Sequence, residues 1–396
     1  MTMLGFPPAI EQRWSLANWQ NAPVNRWAFQ HLREVVPTAR VSRGTAGPTA
    51  LATGSGFQPH QVVWRLDGSA GSVATVLADT HTDGFLVIHD GKVVSEQYPT
   101  GMSPDRTHLL MSVSKSLIGC IVGILADRGG LEIDLAVDHY VPELGASGYR
   151  GATVRDVLDM RSGITFSEEY LDPEAEVRLL EQVVGWAPRT RAGLPSSMYE
   201  YLATLQAGRN HAVAFEYRSC ETDILGWVCE RASGVRMPEL LSGLLWSRIG
   251  VEQDMDAAVD QAGAVFHDGG LAATLRDLGR FGQMLLEGGT VAGEQVVPGW
   301  WIDDSYAGAV HSRQVFAASG NDAWLPGGMY RNQFWLPSES RQVLLCLGIH
   351  GQLIWVEPAR RLVVVKLSSW PLPQDVGKLL DTFAAIDMIG FQLALG

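Results

Sequence analysis

Serine, lysine and tyrosine side chains at suitable spacings can break an amide or ester bond without a metal, and this chain holds such a set. Ser112-Val113-Ser114-Lys115 is an S-x-x-K tetrad. A serine hydroxyl is a poor nucleophile until a neighbouring base takes its proton. On a helix, positions three apart share a face, so Ser112 Oγ and Lys115 Nζ can meet. Ser112 sits where an apolar helix should begin, and there the backbone N–H groups and the helix dipole favour an oxyanion and lower the pKa of a nearby amine. Desolvation among Leu110, Met111, Leu117 and Ile118 should push Lys115 further toward the neutral form that a general base needs. The chain has only four lysines, Lys92, Lys115, Lys366 and Lys378. One placed inside an apolar helix is costly unless it has a task. The plainer alternative is a lysine that snorkels to the surface.

Two further elements could complete the chemistry. Tyr217-Arg218-Ser219 stands just before a helix expected from Thr222. A phenol titrates near pH ~10, but a cationic lysine beside it would stabilise the phenolate. Tyr217 could then carry a proton from Ser112 and later from a water. Gly348-Ile349-His350-Gly351-Gln352 falls at a strand end, where a glycine-flanked edge lets a substrate approach and offers a second oxyanion donor. A β-bulge would give the same pattern. The chain has no GxSxG elbow, HExxH, Walker A loop or GxGxxG turn, and its ten histidines never cluster at metal spacing. No cofactor and no metal are expected.

These residues need a frame. Phe85 to His89 and Lys92 to Tyr98 are β-rich runs joined by Asp90-Gly91, the pair favoured in tight hairpins. Leu109 to Asp127 is mostly apolar, is closed by Gly129-Gly130, and predicts a buried helix. Shorter helices are expected over Thr153 to Met160, Thr222 to Arg231 and Leu275 to Leu286. Strand signals return at Gln342 to Ile349, Leu353 to Glu357 and Leu362 to Ser368, and a final helix spans about Asp375 to Leu393. Strands at both ends with helices between predict an α/β (α+β) fold: one antiparallel sheet from both chain ends, flanked by helices, with a mainly helical lobe at roughly 111–290 inserted. The catalytic domain would span 81–396. Residues 1–80, rich in scattered Pro and Gly, read as an irregular arm wrapping it.

The composition narrows the partners. With 396 residues, 46% of them hydrophobic, the chain can bury a large core and is no disordered protein. A formal net charge of -13 repels phosphate backbones and anionic lipid, so neither nucleic acid nor membrane is expected as a partner. The longest apolar run, Leu117 to Ala126, is far short of the roughly 20 residues that span a bilayer. The N-terminus lacks a basic region followed by an apolar stretch, and the four cysteines read as buried thiols, so a cytoplasmic location is expected.

Taken together, these elements resemble the penicillin-recognising serine hydrolases, which include class C β-lactamases, DD-peptidases and family VIII esterases. Asp134 to Glu143, Thr153 to Gly163 (with Met160 for a usual histidine) and Gly269 to Phe281 are similar to that superfamily's framing segments, in the right order. Within it, NRWAFQHLREVVPTARVSR, LLMSVSKSL, EYLDPEAEV, GIHGQ and VVKLSSWPLP resemble the 6-aminohexanoate-dimer hydrolases, nylon-oligomer amidases with esterase side activity. The resemblance implies a β-lactamase/DD-peptidase-like fold, Ser112 as nucleophile, and Lys115 with Tyr217 as the proton-transfer pair. It implies an oxyanion hole from the N–H groups of Ser112 and Ile349, and a Tyr170 hydroxyl that bonds the substrate amide from a loop.

Two departures from the resemblance bear on substrate. His350-Gly351 stands where lactamases carry Lys-Thr-Gly, so a fixed cation for a penicillin carboxylate is missing. Glu181 stands where efficient dimer hydrolases use an aspartate for the substrate's ammonium end. Asp268 is acidic where relatives carry neutral or imidazole side chains. An acidic stretch around Tyr170, from Glu168 to Glu181, could draw in a cationic amine, although a solvated loop would look the same. Trp186 and Trp335 could wall an apolar slot. The expected function is therefore acyl-enzyme hydrolysis of linear amides of the 6-aminohexanoate-dimer type, with a short-chain carboxylesterase as the alternative. The partner is a small-molecule amide or ester, and a homodimer is left open. A non-catalytic binding protein of this fold would have lost part of the Ser–Lys–Tyr set, and here all three residues are present.

Overall fold

The computed structural model describes residues 2–395. Its body is an eight-stranded sheet in the order Met329–Arg331, Phe334–Leu336, Leu344–Gly348, Gln352–Glu357, Leu362–Ser368, Thr82–His89, Lys92–Gln97, Ala52–Thr53. All neighbours are antiparallel except the last pair, which is parallel. Both chain ends therefore contribute, and they meet where Leu362–Ser368 pairs with Thr82–His89. Asp90 and Gly91 both take positive φ, 48° and 71°, as a two-residue turn between twisted strands requires.

Side chains alternate across this sheet with period two. Phe85, Val87 and Val364 face one core with Trp355 and Ile386, the latter from the C-terminal helix Val376–Leu395. Leu86, Ile88, Val363 and Val365 face the other core with Leu278 and Phe281, from the helix Leu275–Leu286. Each fully buried side chain of this kind contributes about 1.5–3 kcal/mol, so both helices are held firmly against the sheet that carries residue 349.

The inserted lobe departs from its expected form in two places. The helix carrying the S-x-x-K tetrad runs from Val113 to Asp127, starting later than the apolar run suggested. His108–Leu109 instead pairs as a strand with Leu271–Ala273, and Met111 takes φ 48°. The stretch expected to be mainly helical also contains Met255–Ala258 and Leu271–Ala273. These form the middle of a four-stranded sheet flanked by Thr38–Val41 and His108–Leu109.

The first 80 residues are less irregular than expected. Thr38–Val41 pairs with Met255–Ala258, and a helix at Val73–Asp79 adds Val73, Val76 and Leu77 to the core beneath the C-terminal helix. Trp19 and Phe29 are fully buried.

Candidate active site

Three elements converge on Ser112. It occupies the N-terminal boundary of the helix Val113–Asp127, with Lys115 one turn further in. Ser219 holds the equivalent position on the neighbouring helix Cys220–Ser233, which brings Tyr217 in just ahead of it. The strand Leu344–Gly348 ends against the segment leading into Ser112. A Cβ on Gly348 would lie 2.6 Å from the Leu110 carbonyl and 3.1 Å from Met111 Cβ, so only glycine permits this approach.

Lys115 is 1% exposed and all its donors are directed. Nζ donates to Ser112 Oγ at 2.8 Å, to Ser219 Oγ at 3.1 Å and to the Asp268 carbonyl at 2.8 Å. It also sits 5.4 Å from the centre of the Tyr217 ring, and Tyr217 and Ser112 line the same cavity.

The charge state differs from expectation. Burial alone would drive Lys115 toward neutrality, but Tyr217 once ionised and the carboxyl groups of Asp268, Glu168 and Asp223 outweigh burial and hold its pKa above the usual lysine value. Tyr217 is not lowered either. Burial raises its pKa, and the pull of Lys115 and the nearby Ser112 hydroxyl offset only part of that. At rest the pair is an ammonium beside a neutral phenol. Behind it, burial pushes Asp223 up to about 7 against the pull of Lys115. Asp268 is raised further by burial and by Asp223 beside it.

A cavity of about 1070 Å³ opens onto Ser112. Tyr170, Tyr217, Trp335 and Ile349 line it, with Trp335 stacked on Tyr217 at 5.0 Å between ring centres. The other sequence candidates lie off its wall. Trp186 packs in the core against Trp19 at 5.0 Å and Phe266 at 4.7 Å. His350 is buried, with Nδ1 bonded to the Trp370 carbonyl at 2.7 Å, and burial lowers its pKa to about 4, so it supplies no cation. Asp268 meets Lys115 through its backbone carbonyl and is itself 4% exposed. Glu181 is buried and paired with Arg178 at 2.7 Å. Burial pushes it up to about 7 in spite of that partner.

Two residues emerge only in three dimensions. Ser219 bridges Lys115 to the second helix, and Glu168 accepts the Ser219 N–H and stands beside the Tyr170 hydroxyl. The Tyr217-x-Ser219 spacing held a signal for the first. Glu168 was hidden among its acidic neighbours. Among the described residues there is no group of His, Cys, Asp and Glu that could hold a metal ion.

A buried Ser–Lys pair at a helix start, a tyrosine just ahead of a second helix and a sheet edge closing on both define a serine-hydrolase type of site. The chain belongs to the beta-lactamase family, whose model matches residues 71–386. It is 40% identical over 394 residues to a 6-aminohexanoate-dimer hydrolase of Paenarthrobacter ureafaciens, covering 97% of each chain. A solved Bacillus anthracis structure, assigned to the 6-aminohexanoate-dimer hydrolases, superposes with a TM-score of 0.88 at 26% identity, covering 97% of this chain and 98% of that one. A family VIII carboxylesterase shares the fold, with a TM-score of 0.58 at 16% identity over 79% of this chain and 96% of that one.

Proposed function

We propose that the protein hydrolyses linear amides of the 6-aminohexanoate-dimer type through an acyl-enzyme on Ser112, with esterase activity on short acyl esters. The observation that carries this reading is the Lys115 ammonium 2.8 Å from Ser112 Oγ, with the Tyr217 ring 5.4 Å from that ammonium and on the same cavity wall as Ser112. The 40% identity to a dimer hydrolase supports the substrate class.

In acylation Ser112 Oγ attacks the amide carbon, and its proton passes to the Lys115–Tyr217 pair in the form that has lost one proton. The N–H groups of Ser112 and Ile349, which take no backbone partner among the described turn and loop contacts, receive the oxyanion. Tyr217 then gives its proton to the leaving nitrogen, and the C–N bond breaks. A water attacks the ester, Tyr217 takes the water's proton, and Ser112 leaves with a proton returned from the pair. Lys115 stays cationic and steadies whichever partner carries negative charge. Tyr170, on the cavity wall, is placed to bond the amide nitrogen. The four cysteines are buried and free, which suits a reducing compartment, and we place the enzyme in the cytoplasm.

The test is amine release from the linear 6-aminohexanoate dimer by the purified protein, with Ser112→Ala alongside. Release that disappears in the variant is the expected result. No release from the wild type overturns the amidase reading and leaves the esterase one.

A further inference from the structure

We propose that Gln333 is a positioning residue for catalysis: it ties the helix of Ser112 and Lys115 to the helix that follows Tyr217, and so sets the spacing within the Ser–Lys–Tyr group. This rests on the reading above that these three residues carry the reaction.

Gln333 sits at the tip of the hairpin that joins Met329–Arg331 to Phe334–Leu336. A two-residue tip between paired strands needs positive φ at both positions, and Asn-Gly is the favoured pair. Here Asn332 and Gln333 take φ 51° and 68°, and both are fully buried. A buried glutamine held where glycine would fit freely is a strained choice, and it points to a use for the side chain.

The polar atoms of Gln333 show that use. Its Oε1 accepts the Thr222 hydroxyl at 2.7 Å, and its backbone carbonyl accepts the Ser116 hydroxyl at 2.8 Å. Ser116 follows Lys115 directly on the helix Val113–Asp127, and Thr222 lies one turn past Ser219 on Cys220–Ser233. One residue therefore grips both helices. Its Nε2 donates to the Leu158 carbonyl at 2.9 Å, which anchors it to the short helix Val154–Leu158. The tip seats on the first helix at Gly119, where a Cβ would lie 2.5 Å from the Asn332 carbonyl oxygen. The same hairpin also reaches Tyr217. Trp335 stacks on its ring at 5.0 Å, and Tyr330 meets it edge-on at 5.8 Å. Gln333 lies off the cavity wall, so it acts on the reaction only through these neighbours.

The experiment follows hydrolysis of p-nitrophenyl acetate by the full-length protein across the rising limb of its pH–rate profile. Gln333→Met keeps the volume and removes both side-chain bonds, and Thr222→Val removes one of them from the opposite helix. Each is expected to lower kcat by about tenfold or more with little change in KM. Each also moves the limb to higher pH, because the active form, an ammonium beside a phenolate, weakens as the two groups part. Thr222→Ser keeps the hydroxyl and retains the wild-type profile. Loss of folded protein would instead lower kcat equally at every pH and leave the limb in place. Should Gln333→Met not fold, Thr222→Val decides alone. An unmoved limb in a folded variant that lacks the bond, or an equal shift in Thr222→Ser, overturns the proposal. Ser112→Ala, run alongside, separates the two readings. Hydrolysis that survives it removes the serine mechanism and this proposal together, whereas Ser112-dependent hydrolysis with an unmoved limb removes only the tie through Gln333.

Discussion

At the scale of single residues, the proposed catalytic pair, Lys115 and Tyr217, rests with one proton too many. Against the burial that lowers it, Lys115 is held as an ammonium by the carboxyl groups of Asp268, Glu168 and Asp223 and by Tyr217 once ionised, and the Tyr217 phenol is raised by burial. Only the minority form that has lost a proton can accept the one on Ser112. Both pKa values are raised, so kcat/KM rises as the pH goes up from 7 toward 9, and a pH-rate profile with a flat or falling limb there would contradict this. Tyr217→Phe removes the proposed proton carrier while keeping the ring stacked on Trp335, and kcat on an amide is expected to fall by about 10²–10⁴-fold. Amide cleavage suffers more than ester cleavage, because an amine leaves only once protonated. The sequence could not show this charge state. It placed Lys115 among apolar neighbours along its own helix, whereas Asp223 and Asp268 reach it from elements far away in the chain.

At the scale of elements, the site depends on how closely one strand end meets one helix start. Gly348 approaches Leu110 and Met111 so tightly that an added methyl would force the strand end away from Ser112. Gly348→Ala is therefore expected to lower kcat by about 10²-fold or more, as loss of an oxyanion donor does, with a smaller change in KM. Steady-state kinetics on a short ester measures both. The elements themselves were unevenly legible. The Asp90-Gly91 hairpin and the helix Leu275–Leu286 follow from local turn chemistry and from an apolar stripe closed by Gly288-Gly289, and both lie where expected. Ser112 lies at the helix start as expected, but the apolar run drawn from Leu109 began too early, because a two-residue strand such as His108–Leu109 carries no periodicity and only its partner Leu271–Ala273 decides. Met255–Ala258 and Leu271–Ala273 are short and alanine-rich, which gives no strand signal. Trp186 and Trp335 looked alike in sequence, and only packing separates the core tryptophan from the cavity one.

At the scale of the molecule, both chain ends are bound into the fold, and each makes a measurable contribution to stability. Trp19 is buried against Trp186 and Phe29, and its Nε1 donates to the Trp186 carbonyl at 2.7 Å. Trp19→Ala should cost ~3–5 kcal/mol in denaturant unfolding, far more than an arm lying loosely on the surface would lose. The other contribution comes from Lys366, fully buried in the strand Leu362–Ser368. It donates to the Thr80 carbonyl at 3.1 Å and to Ser368 Oγ at 2.5 Å. Burial lowers its pKa to about 7, with Asp83 only partly restoring it. In the unfolded chain it titrates near ~10.4. Between those values the unfolded state holds a proton that the folded state does not, so this group's contribution to stability rises with pH from about 7 to 10, by on the order of 1 kcal/mol per pH unit. Lys366→Met removes the titration while filling similar space. Unfolding free energies of wild type and variant, measured at pH 7 and pH 9, should thus move apart, with the wild type gaining on the variant as pH rises. A constant difference would mean that Lys366 keeps its charge in the folded sheet.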